Sequence, residues 1–363
     1  MSCFLSASSQ WIYLFVQSSR DICEFLSECL FLSMMKTVNR KAGYLILIVG
    51  LVACSAKSVK NSEEKDTDSV SIEVPSFDSD SAYAYIEHQV QFGFRVPNTP
   101  AHLATADYLS SELARHGAVV EVQQGTVTAY DGTELSIRNI IGSFSPEKKN
   151  RILLFAHWDS RPYADNDPDK SKHRQPIAGA DDGASGVGVL LEIARQIGKR
   201  QPDTGVDIAF FDAEDYGVPY WSESSDENTW ALGTQYWTRR PHKPGYRARF
   251  GILLDMVGGA GAQFRRELFS KYYASGIVAQ VWDTAKRLGY GNYFIEEDGG
   301  YVTDDHLYVN RYGIPSIDII PCHRDTETGF PPYWHTVDDT MRNIDRSTLK
   351  AVGQTVLTVL YEE

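Results

Sequence analysis

Basic residues are in short supply. The chain has 35 lysines and arginines against 48 aspartates and glutamates, a formal net charge of −13 at pH 7. That balance excludes a nucleic-acid partner, because no basic excess is available to neutralise phosphates. Cysteine is scarce too: there are five in 363 residues, and Cys3, Cys23 and Cys29 all precede Met34. Only Cys54 and Cys322 remain beyond that point, so no intramolecular disulfide framework is expected. There is no internal repeat and no heptad series. What the chain does have is apolar material, 42% of its residues, enough for one large core or two modest ones.

The N-terminal region reads as a set of processing signals. Lys36, Arg40 and Lys41 precede an apolar stretch from Ala42 to Ala53, too short to span a bilayer. It closes on Leu51-Val52-Ala53-Cys54, which resembles the bacterial lipobox, whose Cys is acylated and becomes the mature first residue. Residues 1–33 read as an upstream extension, 34–53 as a lipoprotein signal peptide and 54–76 as a flexible tether rich in Ser, Lys, Glu and Asp. The expectation is an exported protein, lipid-anchored through Cys54 to a bacterial membrane and facing the periplasm or the cell surface.

From Phe77 to the C-terminus the pattern is globular. Ser79 or Ser81 is placed to cap a helix carrying Ala82, Ile86 and Val90. Asn98-Thr99-Pro100 opens a second helix with Leu103, Ala106, Leu109 and Leu113 on one face. Strand-like segments follow at Ala118–Val122, Thr126–Ala129 and Ile137–Phe144. Four near-continuous apolar runs then read as buried strands: Ile152–Ala156, Val206–Phe211, Phe250–Leu254 and Ile314–Ile320. Apolar stripes at helical spacing separate or follow them, Val187 to Ile197, Ile277 to Leu288 and Leu349 to Leu360. The alternation predicts one α/β domain, with a mixed, mostly parallel central sheet and helices on both faces.

Five short motifs fall at or just after the ends of apolar runs, where open α/β sheets place their ligands. They are Ala156-His157-Trp158-Asp159-Ser160, Gly179-Ala180-Asp181-Asp182-Gly183, Phe210-Phe211-Asp212-Ala213-Glu214-Asp215, Leu253-Leu254-Asp255 and Trp334-His335-Thr336. Singly each is ordinary. A His at a strand end is commonly structural, Asp181 or Asp182 would serve as a helix cap, and Glu214-Asp215 would pass as solvated loop charges. Together they offer one imidazole or carboxylate per motif, the mixed shell that suits Zn²⁺. In the third motif one acid can bind metal while its neighbour works as general base or acid. Asp159 is close enough in sequence to orient His157.

The order of these motifs resembles the zinc aminopeptidase superfamily, and within it the glutaminyl-peptide cyclotransferases, from Phe94-Arg95-Val96-Pro97 to the C-terminus. Thr303-Asp304-Asp305-His306 with Arg311-Tyr312-Gly313-Ile314-Pro315, the run from Phe330 to Asp339, and Trp221 after Glu214-Asp215 favour the cyclase branch. The resemblance implies one zinc per chain held by Asp182, Asp215 and His335, with Glu214 as proton shuttle and Asp255 and Asp304 hydrogen-bonded around it. It implies a pocket walled by Trp221, Phe330 and Trp334, and peptide or protein N-termini bearing glutamine as substrates. Two departures stand out: Asp215 where animal cyclases carry Glu, and Ala156 where they place a half-cystine. The segment Tyr216–Tyr246, acidic at Glu223, Asp226 and Glu227, reads as a rim loop. Two rivals remain. One is a two-zinc aminopeptidase using His157, Asp182, Asp215, Asp255 and His335; the other is a non-catalytic, lipid-anchored binding protein on a peptidase fold.

Overall fold

The computed structural model describes residues 73–222 and 226–363. The expectations for residues 1–33, the signal peptide, Cys54 and nearly all of the tether lie outside the described residues. Within them the chain alternates strands and helices. It runs α1 (Ser79–Gln91), α2 (Pro100–Arg115), β1 (Val119–Thr128), β2 (Glu134–Phe144), β3 (Arg151–His157) and α3 (Ala184–Lys199). After β4 (Gly205–Phe211) come α4 (Leu232–Arg239), β5 (Gly251–Leu254), β6 (Phe264–Arg266) and α5 (Leu268–Arg287). The chain closes with β7 (Phe294–Asp298), α6 (Asp305–Tyr312), β8 (Ser316–Ile319) and α7 (Arg346–Tyr361).

Six strands form one sheet in the order β1-β2-β4-β3-β5-β8. The pairs β1/β2 and β2/β4 are antiparallel, while β3 is parallel to both β4 and β5, and β5 to β8. Every residue of β3, β4, β5 and β8 is buried, as near-continuous apolar runs require. Alternate residues serve opposite faces. Ile152 and Leu154 join a large core with Leu109 of α2, Val187 and Leu190 of α3 and Val356 of α7. Leu153 and Phe155 pack the other way, with Trp237 of α4 and Val309 of α6. Helices therefore cover both faces, and the expected fold class is the observed one.

The local differences have identifiable causes. Asp78, not Ser79 or Ser81, caps α1, its carboxylate accepting from the backbone of Asp80 and Ser81. Thr99 caps α2 as read. The two segments expected at 118–122 and 126–129 are one strand, continuous through Gly125, where a Cβ would lie 2.5 Å from the Tyr236 ring. Glycine thus sits in the strand because α4 lays a tyrosine across it. A small parallel pair, β6 and β7, was not legible, since its strands are short and carry Arg265, Arg266, Glu296 and Glu297 rather than an apolar run.

Candidate active site and metal centre

Strand ends deliver the polar residues to one edge of the sheet. His157 is the last residue of β3, Asp255 directly follows β5, and Glu214 and Asp215 stand three and four positions beyond β4. Asp182 lies in the turn before α3. That helix begins after Gly183 (φ 92°) with no side-chain cap, so Asp182 is not spent as one. Instead the Asp339 carboxylate accepts from the backbone N–H groups of Asp181 and Asp182 (2.9 and 3.1 Å) and fixes the turn. Asp159 does the same for the third motif, accepting from Glu214 N–H and Asp215 N–H (3.0 and 3.2 Å). The Asp159 carboxylate also lies 3.5 Å from His157 Nδ1, so one acid orients the imidazole and both acids after β4.

Backbone strain marks the same loops. Ala213, Met256 and His335 all have left-handed φ near 50°. Each stands beside or within a site motif, where surrounding structure must hold a conformation that costs a non-glycine residue energy.

The side chains converge into two overlapping groups. His335 Nε2 lies 3.2 Å from Asp215 Oδ1 and 3.5 Å from Asp182 Oδ2. His157 Nε2 lies 3.1 Å from Asp182 Oδ1 and 3.2 Å from Asp255 Oδ1. All five residues are buried. Asp182 Oδ2 and Asp215 Oδ2 have no hydrogen-bond partner, and leaving a buried carboxylate oxygen unpaired is costly. In each group, Asp182 with Asp215 and His335 or with His157 and Asp255, ligand atoms lie within 4.8 Å of one another. Two carboxylates and an imidazole with unsatisfied oxygens fit Zn²⁺. Behind His335, Asp165 Oδ1 lies 3.4 Å from Nδ1, leaving Nε2 for metal.

Sequence reasoning missed the groups that hold this arrangement. Arg161, buried, pairs with Asp165 at 2.7 Å through two nitrogens and donates to the Asp215 backbone oxygen at 3.0 Å. Burial alone would lower its pKa, but Asp165 and Asp215 raise it. The spacing of Arg161 and Asp165 carries no apolar period or motif that would have singled them out.

Glu214 stands apart from both metal groups. Burial, and then the charge of Asp304, hold its carboxyl well above the usual carboxylate range. Burial pushes Asp255 up to about 8, against the opposing His157 hydrogen bond. Asp304 is raised by burial too. For His157, burial works downward, but hydrogen bonds to Asp159, Asp182 and Asp255 raise it well above its ordinary value. Buried acids with raised proton affinity beside a metal group have a property that proton transfer uses.

A cavity of about 320 Å³ opens over these groups and is lined by Glu214, Asp304, Trp230, Phe330 and Trp334 among others. Trp334 stacks on the His335 ring at 3.7 Å, and Phe330 packs against Trp334 at 4.5 Å. The placement of Trp221 corrects the expectation. It does not line the cavity but packs against Tyr163 (5.3 Å) with Arg174 over its face. The third wall is Trp230, which lies parallel to His335 at 6.1 Å and covers Arg161. Spacing from Glu214 could not separate the two tryptophans, because Glu214 O accepts from Ala231 N–H and the chain folds back there. The segment read as a rim loop therefore supplies a wall.

A buried mixed His/carboxylate centre at the carboxyl ends of parallel strands defines a metal-dependent exopeptidase-like α/β protein. The chain belongs to peptidase family M28, whose family model matches residues 139–360. It is similar to a Zn-dependent exopeptidase of known structure from Parabacteroides distasonis, with 60% identity and a TM-score of 0.79 over 80% of this chain and all of that one. The glutaminyl cyclase of Tannerella forsythia matches at 59% identity and a TM-score of 0.79, again over 80% of this chain and all of that one. Glutaminyl-peptide cyclotransferase of Bos taurus is 26% identical over 289 residues, covering 70% of this chain and 74% of that protein. The resemblance read from five motifs is thereby confirmed at the level of family and fold.

Proposed function

We propose that the chain cyclises N-terminal glutamine to pyroglutamate with release of ammonia. The observation that carries this reading is the buried acid Glu214, which with Asp304 lines a cavity walled by Trp230, Trp334 and Phe330. The similarity to glutaminyl cyclases supports it.

Asp182, Asp215 and His335 would hold one zinc, which supplies Lewis-acid polarisation of the γ-carboxamide. Glu214 takes a proton from the α-amine as its nitrogen bonds to Cδ, and returns it to the departing nitrogen as the Cδ–N bond breaks. The charge of Asp304 raises the proton affinity of Glu214, which makes its carboxylate a stronger base. The aromatic walls exclude water and hold the two ends of one residue together, so proximity supplies much of the acceleration. In this reading His157 and Asp255 hydrogen-bond rather than ligate. Ammonia assayed from a Gln-initiated peptide, beside its N-acetylated form, tests the proposal: the first should react and the second should not.

The group of His157, Asp182 and Asp255 favours a second reading, a two-zinc aminopeptidase. Metal analysis separates them, with one zinc per active chain expected for the cyclase and two for the peptidase. Ala in place of Asp182, Asp215 or His335 should lose the zinc, and His157→Ala should keep it. We further propose, from the lipobox-like run alone, that the mature protein begins at an acylated Cys54 and is held at a bacterial membrane. Intact mass of the native protein tests this, and an unmodified N-terminus elsewhere overturns it.

A further inference from the structure

Beside its buried acids the cavity has a less buried wall, its outer part, formed by half-buried Arg265 and Cys322 and by exposed Tyr301. The charges along the cavity are sorted. Asp182, Glu214, Asp215, Asp255, Glu267 and Asp304 make its buried lining acidic, whereas Arg265 is its sole lysine or arginine. A buried acidic lining suits an α-amine, and a lone cation in the less buried wall suits an anion following that amine.

The Arg265 charge is poorly neutralised. Its side chain is only 11% exposed, held by Cys322 O and by Gln263 Oε1 at 3.1 Å. Its ionic partner, Glu297, is 49% exposed, lies 3.3 Å from Nε and does not line the cavity. The same Glu297 oxygen also pairs with Arg324 at 2.9 Å. One water-facing carboxylate shared between two guanidinium groups is screened by solvent and fully neutralises neither. Tyr301, 67% exposed and backed by Phe269 at 4.7 Å, adds a solvent-facing ring to the same wall.

We propose that this outer part is a subsite for the residue after the N-terminal glutamine, and that Arg265 there selects a carboxylate side chain. The inference rests on the cyclase reading, since a peptide with its α-amine at Glu214 runs from the buried lining past the less buried wall to reach solvent.

The test is the relative kcat/KM on three C-terminally amidated dipeptides, Gln-Glu, Gln-Gln and Gln-Lys. Glu and Gln differ in charge but hardly in shape. The expected order is Glu above Gln above Lys, with Glu about fivefold over Gln, the ratio that ~1 kcal/mol of ion pairing gives. Raised salt should shrink that ratio. Arg265→Gln should collapse the Glu/Gln ratio toward one, and Glu297→Gln, which removes the competing carboxylate, should widen it. These opposite shifts keep the proposal testable if one variant folds poorly. Equal rates on all three peptides, or an unchanged ratio in both variants, would overturn the subsite. No turnover of any peptide by the zinc-loaded wild type would instead sink the cyclase reading.

Discussion

In the proposed reaction Glu214 acts through its proton, so its substitution is the sharpest test at the residue scale. Glu214→Gln preserves size and the backbone contacts of Glu214 with Asp159 and Ala231, and should keep zinc and fold while losing at least about 10²-fold in kcat. Zinc analysis and circular dichroism beside the rate check all three. A near-normal rate would move the base elsewhere, first to Asp304. The pH profile follows from the same group. Burial raises the Glu214 pKa, so the carboxyl takes up a proton, and base function is lost, at a higher pH than for an ordinary carboxylate. The substrate amine, with a pKa of roughly 7.7–8.0, must also be neutral to attack. kcat/KM should therefore rise to about pH 8, and its acid limb should steepen from about one decade per pH unit toward two where Glu214 also takes up a proton. A limb of slope one would mean that the amine alone titrates. Trp230→Ala should raise KM without releasing zinc, whereas Trp221→Ala, away from the cavity, should leave KM nearly unchanged. The reverse result would restore the expectation drawn from the sequence.

At the scale of elements, the turn before α3 decides where Asp182 points. A Cβ on Gly183 would lie 2.7 Å from Asp159 O and 2.9 Å from the His157 ring, at a φ of 92° that side chains rarely adopt. Gly183→Ala should cost about 1–3 kcal/mol of stability from backbone strain alone, and should weaken zinc binding, measured against a chelator, by displacing Asp182. Unchanged zinc affinity would show that Asp339 alone fixes the turn. The elements were legible because β3, β4, β5 and β8 are buried on both faces, so their apolar runs stop abruptly at the polar residues that matter. His157, Asp255 and the Glu214-Asp215 pair were found for that reason. Loops give no such edge. Trp230 was missed because pocket membership there depends on how the chain folds back, and the supporting pair Arg161 and Asp165 because buried ion pairs leave no periodic trace. The left-handed backbone of Ala213, Met256 and His335 is imposed by tertiary structure, and none of those residue types announces it.

For the whole molecule, the described unit is tied down at its start. Phe77 is 2% exposed and packs so closely on α7 that a Cβ at Gly353 would meet its ring at 2.2 Å. Its backbone N–H donates to Gln354 Oε1 at 2.9 Å. Phe77→Ala should cost about 3–5 kcal/mol in denaturant unfolding, by analogy with buried aromatic truncations, and a chain beginning at Ser79 should be destabilised similarly. The larger question is which reaction the metal centre serves, since the acids and imidazoles of the M28 fold suit both an intramolecular attack and a hydrolysis. The direct measurement gives the purified, zinc-loaded protein Gln-Ala and Leu-Ala peptides side by side, with products resolved by mass. The cyclase account predicts loss of ammonia from Gln-Ala to yield pyroglutamyl-alanine, and no free leucine from Leu-Ala. Free leucine at a rate comparable to glutamine cyclisation would contradict it, because that product requires an activated water.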